Sequence, residues 1–379
     1  MALIQIKKYS STGLSIEFDE IKTIEIVDDK LAGGNFGDVF ICIRVNNKKA
    51  IVPQVIKIFK QAVDKNLHTI VKLQEKLKDL NNKFLSKGSS LLDDYPGLTA
   101  VPQFSFEGKM NGESVKGYSA NNLNELGYVE YEKLLDDDDH SQRFFYDYDI
   151  INRYKIAYDL VRTMSLLSTI DYIHADFKES ALFIHEGNAN CAVIDFDSGA
   201  IFNNNAESQP TTIGERQDWL APEIFEQLGN QQSNNLSSIN VNIFSDTWSV
   251  TFALYNLILG LEPYYFISEL SPKNMKEYLK QNRWPNIDLS SPLIDSEEIE
   301  NIEVNRQDYE QILPVEIKKG FETTFNEGYL KPVRRCSYEQ WEYAFQFIQE
   351  PPKILEFKVN VNHLTHKQEV VFNWNVKNI

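Results

Sequence analysis

From residue 13 to 59 apolar and polar residues alternate in short bursts separated by Gly and Asn: "GLSIEF", "KTIEIV", "DVFICIRV" and "IVPQVIKIF". A period of two puts every second side chain on one face of a strand, so these bursts predict an antiparallel sheet. The period then changes. Between Asn66 and Leu85, the residues Leu67, Ile70, Leu73, Leu77, Leu80 and Phe84 recur every three or four positions and form one apolar stripe along a helix. Two more strand-like segments follow, "VPQFSFEG" and "LGYVEYEKLL". Beyond them "YKIAYDLVRTMSLLSTIDYIH", "NIFSDTWSVTFALYNLILGL" and "VEIKKGFETTFNEG" are helical by period. The expectation is an α+β chain with a sheet-rich part before a helix-rich one, divided near Glu132, just ahead of the run Asp136 to Asp139. After "QEPPK" the period of two returns in "ILEFKV" and "EVVFNWNV". Two strands alone are marginally stable, so this tail either packs on the rest or opens a separate β module. The expected division is residues 1–132, 133–349 and 350–379.

Composition narrows the function classes. With 379 residues, 42% apolar and 12% aromatic, the chain can bury a sizeable core. A formal net charge of -17 disfavours a sequence-independent grip on nucleic acid or on an anionic membrane, and neither is expected as a partner. Cys42, Cys191 and Cys336 are far apart and lack the paired spacing of a zinc site, which fits a reducing, cytoplasmic compartment. "MALIQIKKYSS" has too short an apolar run for a signal peptide, and "WSVTFALYNLILGLEPYYF", interrupted by Glu262 and Pro263, reads as a buried core helix. The Asp run with His140, "FNNNAESQ" and "GNQQSNNLSS" are expected to be solvated turns or loops.

Several segments carry polar groups where the pattern asks for burial. "LAGGNFGDVF" (31–40) is a Gly-rich turn between strands, in which Gly34 and Gly37 would let backbone N–H groups approach phosphates; taken alone it reads first as an ordinary hairpin. Lys57 is the single charge in "VIKIF", and such a lysine either reaches solvent at an edge or has an anionic partner. "HADFKESALFI" (174–184) and "VIDFDSGA" (193–200) place Asp176, Lys178, Asp195 and Asp197 between apolar runs. Hard carboxylate oxygens suit Mg²⁺, and the cations suit phosphates.

In this order the segments resemble a eukaryotic-like Ser/Thr protein kinase of divergent bacterial type, from Leu31 to about Trp341. "WLAPEIF" (219–225) is similar to the end of the activation segment and "SDTWSVTFALYNLILG" to the long buried helix of the large lobe. "FNEGYLKPVRRCSYEQW" is similar to the late segment whose arginine, here Arg335, pairs with Glu223. The resemblance implies a two-lobed fold, β-rich then helical, and transfer of the γ-phosphoryl of ATP to Ser or Thr hydroxyls of a protein substrate, the chain itself included. It implies that Asp176 and Lys178 are catalytic and that Gly34, Phe36, Gly37, Val39 and Lys57 hold the nucleotide. By the same resemblance Val129, Glu130 and Tyr131 lie at the hinge that reads adenine, Glu75 pairs with Lys57, and Asp246 braces the catalytic loop. Asp195, with Asp197 and Ser180, would hold Mg²⁺ or Mn²⁺. There are departures: Ala181 replaces the metal-binding Asn, Asp197 the Gly of the Asp-Phe-Gly motif, Ala32 the first loop glycine, and Ala175 the Arg that clamps a phosphorylated loop. Ala181 keeps a pseudokinase, a nucleotide-binding or scaffolding module, as the alternative. On a helical wheel Glu75 falls opposite the apolar stripe, where a solvated charge sits. The tail resembles the opening strands of an Ig-like β-sandwich, a module that commonly mediates protein contacts.

Overall fold

The computed structural model describes residues 1–136 except 15–19, 35 and 61–63, then 143–202, 210, 219–229 and 239–264 except 261. It further describes 274, 277, 278, 284, 285, 307, 309, 311–349, 353–364 and 367–377. The expected loops at 203–209 and 230–238, Asp137 to Asp139, His140 and most of the "GLSIEF" strand lie outside the described residues.

The sheet-rich part is a closed barrel. Strands β1 (Ala2–Ser11), β2 (Thr23–Gly33), β3 (Gly37–Val45), β4 (Gln54–Phe59), β5 (Phe104–Met110) and β6 (Glu113–Asn121) run in the order β1-β2-β3-β4-β6-β5, and β1 closes the ring by pairing with both β2 and β5. Ile4, Ile24, Ile26, Ile56, Ile58, Phe104 and Phe106 fill it. The neighbours β5 and β6 are joined by Asn111 and Gly112, both at positive φ, the two-residue turn that matches the twist of a hairpin. Gly117 sits opposite Ile58 in β6, where a Cβ would collide with the Lys57 carbonyl oxygen; its missing side chain lets β6 lie close beside β4.

Helix α1 (Asp64–Leu85) covers this barrel with the expected stripe, burying Leu67, Ile70, Leu73 and Leu77. The segment "LGYVEYEKLL" divides: Tyr128–Glu130 is a short strand, β7, and Tyr131–Asp136 is a short helix. Strand β7 joins β9 (Leu182–His185) and β10 (Cys191–Val193) in a second sheet, and β8 (Tyr172–Ile173) pairs with β11 (Ala200–Ile201) in a third.

The core of the second part is helical. Asp149 caps α2 (Ile150–Thr169) by accepting from the Asn152 N–H. The expected core helix is α4 (Ile243–Leu259), which comes after α3 (Pro222–Gly229); α4 opens with a capping box between Asn242 and Ser245 and stops at Gly260, whose φ is +80°. Among the described residues no helix is long and apolar enough to cross a membrane. Trp248 of α4 packs on Phe325, Phe325 on Phe321 and Phe321 on Trp341, bringing in α5 (Val315–Glu322) and α6 (Tyr338–Gln349). The tail forms a hairpin of β12 (Lys353–Leu364) and β13 (Lys367–Lys377).

Asp159 of α2 is a buried carboxylate with one oxygen lacking a hydrogen bond, and burial pushes it up to about 6 against the pull of Lys155 and Arg162. Its folded-state value lies above the unfolded one, so the stability linked to it is complete below the unfolded value and is lost as pH rises through about 6. Asp159→Asn is therefore expected to raise unfolding free energy at pH 8, by up to about 3 kcal/mol, and to change it little at pH 4. Urea titrations at the two pH values check this.

Candidate active site

Lys57 lies in the middle of β4, flanked by Val39 of β3 and Tyr118 of β6 in register. A charged group in such a strand needs a partner, and the turn after β10 supplies two: the Lys57 Nζ donates to Asp195 Oδ1 at 3.0 Å and to Asp197 Oδ1 at 2.8 Å. Burial by itself would lower the ammonium, but the two carboxylates outweigh it and hold Lys57 well above its ordinary value. Burial likewise works to raise Asp195, yet Lys57 keeps it below the usual carboxylate range. The two acids differ in exposure. The Asp197 side chain is 2% exposed and Asp195 is 36% exposed, so Asp195 retains access to solvent.

Asp176 and Lys178 come from the turn between β8 and β9. The Lys178 Nζ stands 3.6 Å from Asp176 Oδ1, an atom with no hydrogen bond of its own. Burial raises the Asp176 carboxyl, with Lys178 and His174 pulling it down and Asp195 adding to the rise. Asp176, Lys178, Asp195 and Lys57 thus share one electrostatic neighbourhood.

Both turns contain a residue in the left-handed region, Ala175 at φ +66° and Asp195 at φ +59°. For a non-glycine residue this costs about 1–3 kcal/mol and persists only when surrounding bonds enforce it. Those bonds are present. Asp246, at the start of α4, accepts from the backbone N–H of His174 and of Ala175 at 3.1 Å each, the brace expected of it. The Ser198 N–H donates to the Asp195 carbonyl at 3.0 Å, and a His174 ring nitrogen meets the Ile194 carbonyl at 2.8 Å, tying one turn to the other.

The Gly-rich turn is closed by the Gly34 N–H donating to the Gly37 carbonyl at 3.0 Å, while Phe36 is 41% exposed. Gly37 has a packing reason as well: a Cβ there would stand 2.9 Å from the Ile58 carbonyl oxygen and 3.3 Å from the Lys57 side chain. Asn35 lies outside the described residues.

The Lys57–Glu75 pair is not formed, which corrects the family-based expectation. Glu75 is exposed and bonded to Lys72 at 2.8 Å, because the apolar stripe turns it to solvent; the α1 residue that reaches the site is Asn66, whose amide donates to the Asp197 carbonyl at 3.0 Å. The proposed hinge is displaced too. Val129 and Glu130 pair with Ile184 and Phe183 of β9, and the Tyr131 ring is buried with its hydroxyl on Asn256 at 2.7 Å. The backbone that leaves the barrel beside Lys57 is Asn121 to Leu123, at the end of β6. Tyr118 was not anticipated: its hydroxyl donates to Asp197 Oδ1 at 2.8 Å, and a hydroxyl in an apolar strand gives no local signal of its partner.

Ala181 is buried in the short helical turn Glu179–Ala181 and brings no oxygen to the site, while Ser180 beside it is half-buried. Among the described residues no group of three or more His, Cys, Asp or Glu side chains is placed to hold a metal by itself. Mg²⁺ does not need one, since it is usually held by one or two carboxylates together with substrate phosphates and water. The half-open Asp195, a hard oxygen donor beside a cation, fits such an ion. Burial raises all three thiols, Cys42 and Cys336 up to about 12, which disfavours their reactive thiolate forms.

A barrel lysine bonded to an acidic turn thus shares one neighbourhood with an Asp-and-Lys turn braced from α4. The protein kinase domain model matches residues 26–307, well over half of the chain, and the protein belongs to the protein kinase family. Comparison with curated proteins finds no match.

Proposed function

We propose that the protein is an ATP-dependent protein kinase that transfers the γ-phosphoryl group to Ser or Thr hydroxyls. The observation that carries this reading is the 3.0 Å contact between Lys57 and the partly open Asp195, which brings a barrel cation and a large-lobe carboxylate to one point. Lys57 would hold the α and β phosphates, and the Gly34–Gly37 turn, with Phe36 and Val39, would cover them. Asn121 to Leu123 is the better placed hinge for adenine. Asp195, helped by Ser180, would hold Mg²⁺, or Mn²⁺, which when bound neutralises charge on the phosphates. Asp176 would orient the acceptor hydroxyl and take its proton, and burial moves its carboxyl toward the range of a working base. Lys178, 3.6 Å away, would offset charge on the transferring group, the arrangement of Ser/Thr rather than Tyr kinases. In this reading the barrel and α1 are the small lobe, the helical part is the large lobe and the β12–β13 hairpin is a contact module of a cytoplasmic enzyme.

One observation favours a pseudokinase instead: Ala181 leaves the site a metal ligand short. Incubating the protein with labelled ATP and Mg²⁺ or Mn²⁺, alone and with generic protein substrates, separates the two. Transfer that falls by about a hundredfold or more in Asp176→Asn supports the kinase. Absence of transfer, with a nucleotide-dependent rise in melting temperature, supports the pseudokinase.

A further inference from the structure

Lys57 is bonded to two carboxylates that are built differently. Asp195 Oδ1 has Lys57 on one side, and its side chain is 36% exposed. Asp197 Oδ1 accepts from Lys57 at 2.8 Å and from the Tyr118 hydroxyl at 2.8 Å, and its side chain is 2% exposed. The two donors are register partners on adjacent strands, β4 and β6, so the barrel presents them to Asp197 as a fixed pair. From the other side Asn66 of α1 donates to the Asp197 main-chain carbonyl at 3.0 Å. A metal ion at Asp197 Oδ1 would compete with the Lys57 ammonium, whose side chain is 15% exposed, and with the buried Tyr118 hydroxyl, and displacing either leaves a largely desolvated donor without its partner.

We infer that Asp197 is the positioning carboxylate for Lys57, a clamp formed with Tyr118 and Asn66, and that metal binding is left to Asp195. Helix α1 contributes an amide to this clamp and no acid. Gln74, its buried polar residue nearest Glu75 in sequence, is bonded to Ser105 and to the Pro102 carbonyl instead. The ammonium is therefore held by the loop that carries Asp195 itself, so the lysine and the metal-binding acid move as one unit. Turnover then does not require an acidic partner from α1.

The catalytic consequence rests on the kinase reading, and the pairing can be tested without it. For turnover, the ATP dependence and Mg²⁺ dependence of phosphoryl transfer are measured for wild type, Asp197→Asn and Asp195→Asn. Asp197→Asn is expected to lower kcat by tenfold or more while the Mg²⁺ concentration for half-maximal rate stays within twofold; Asp195→Asn is expected to raise that concentration. A tenfold rise in Mg²⁺ requirement for Asp197→Asn, with the rate restored at high Mg²⁺, would overturn the clamp in favour of a metal ligand, and an unchanged kcat would overturn it outright. Tyr118→Phe keeps the ring in the core and removes one donor to Asp197. It is expected to lower kcat twofold to fivefold at unchanged Mg²⁺ requirement, and no change in kcat would count against the clamp.

Without any activity, a double-mutant cycle on nucleotide-free protein reads the pair by chemical denaturation. Asp197→Asn should be more favourable to folding in the Lys57→Met background than in wild type, by at least tenfold in the unfolding equilibrium constant. Additive effects would overturn the pairing. A protein that transfers no phosphoryl group yet shows this coupling would refute the kinase and keep the clamp.

Discussion

Lys57→Met is expected to reduce phosphoryl transfer by about a thousandfold or more and, in the same variant, to lower unfolding free energy by several kcal/mol. The first effect comes from losing the one cation that β4 carries into the site, in chemistry whose rate comes mainly from positioning and charge neutralisation. The second comes from burial. Removing one partner of a buried ion pair leaves an uncompensated charge and costs about 3–5 kcal/mol. Two carboxylates lose their cation here, but the Asp195 side chain is 36% exposed and can take up water, so the lower end of that range is expected. Turnover assays and urea titration of the same preparation check both effects. A variant that loses transfer with unchanged stability would mean that Asp195 and Asp197 are satisfied without Lys57.

What the sequence revealed about this site depended on how local each signal is. The α1 stripe and the core helix α4 are written in consecutive residues, as are the turns carrying Asp176 and Asp195, and each is readable from the chain alone. Strand β1 is not. "ALIQIKKYSS" is a strand because it bridges β2 and β5, and those partners lie about 20 and 100 residues away, by the register that pairs Ile4 with Ile24 and Met110. Strand β6 is missing from the expected elements although Asn111–Gly112 marks its hairpin, and that omission moves the expected hinge to β7, past the true end of the strand beside Lys57.

Glu75 shows two kinds of argument in conflict. Family spacing places it on Lys57, the helical wheel places it in solvent, and the packing of Leu73 and Leu77 decides for the wheel. Asp197 is visible as a departure from the family pattern, but its partners are not, since Tyr118 and Asn66 reach it across 79 and 131 positions of the chain.

Arg335→Ala is expected to lower unfolding free energy by about 3–5 kcal/mol. The side chain is 0% exposed, and its guanidinium meets Glu223 with both forks, at 2.7 and 2.6 Å. It also donates to the Phe244 carbonyl at 2.7 Å and the Gly328 carbonyl at 3.0 Å, and it lies 4.9 Å over the Trp248 ring. One side chain therefore ties α3, α4 and the segment before α6 together, and truncation leaves a carboxylate and two carbonyls short of donors. Lysine cannot reproduce this, because a single ammonium does not span a carboxylate fork and two carbonyls at once; Arg335→Lys should recover less than half of the loss. Neutralising the partner as well should soften the loss, so Arg335→Met combined with Glu223→Gln is expected to be more stable than Arg335→Ala alone. The midpoints of urea unfolding, compared at constant slope, give the three values. A loss under about 1 kcal/mol for Arg335→Ala would mean that Glu223, whose side chain is 25% exposed, is satisfied by water once the guanidinium is gone, and the contact would then fix geometry without adding stability.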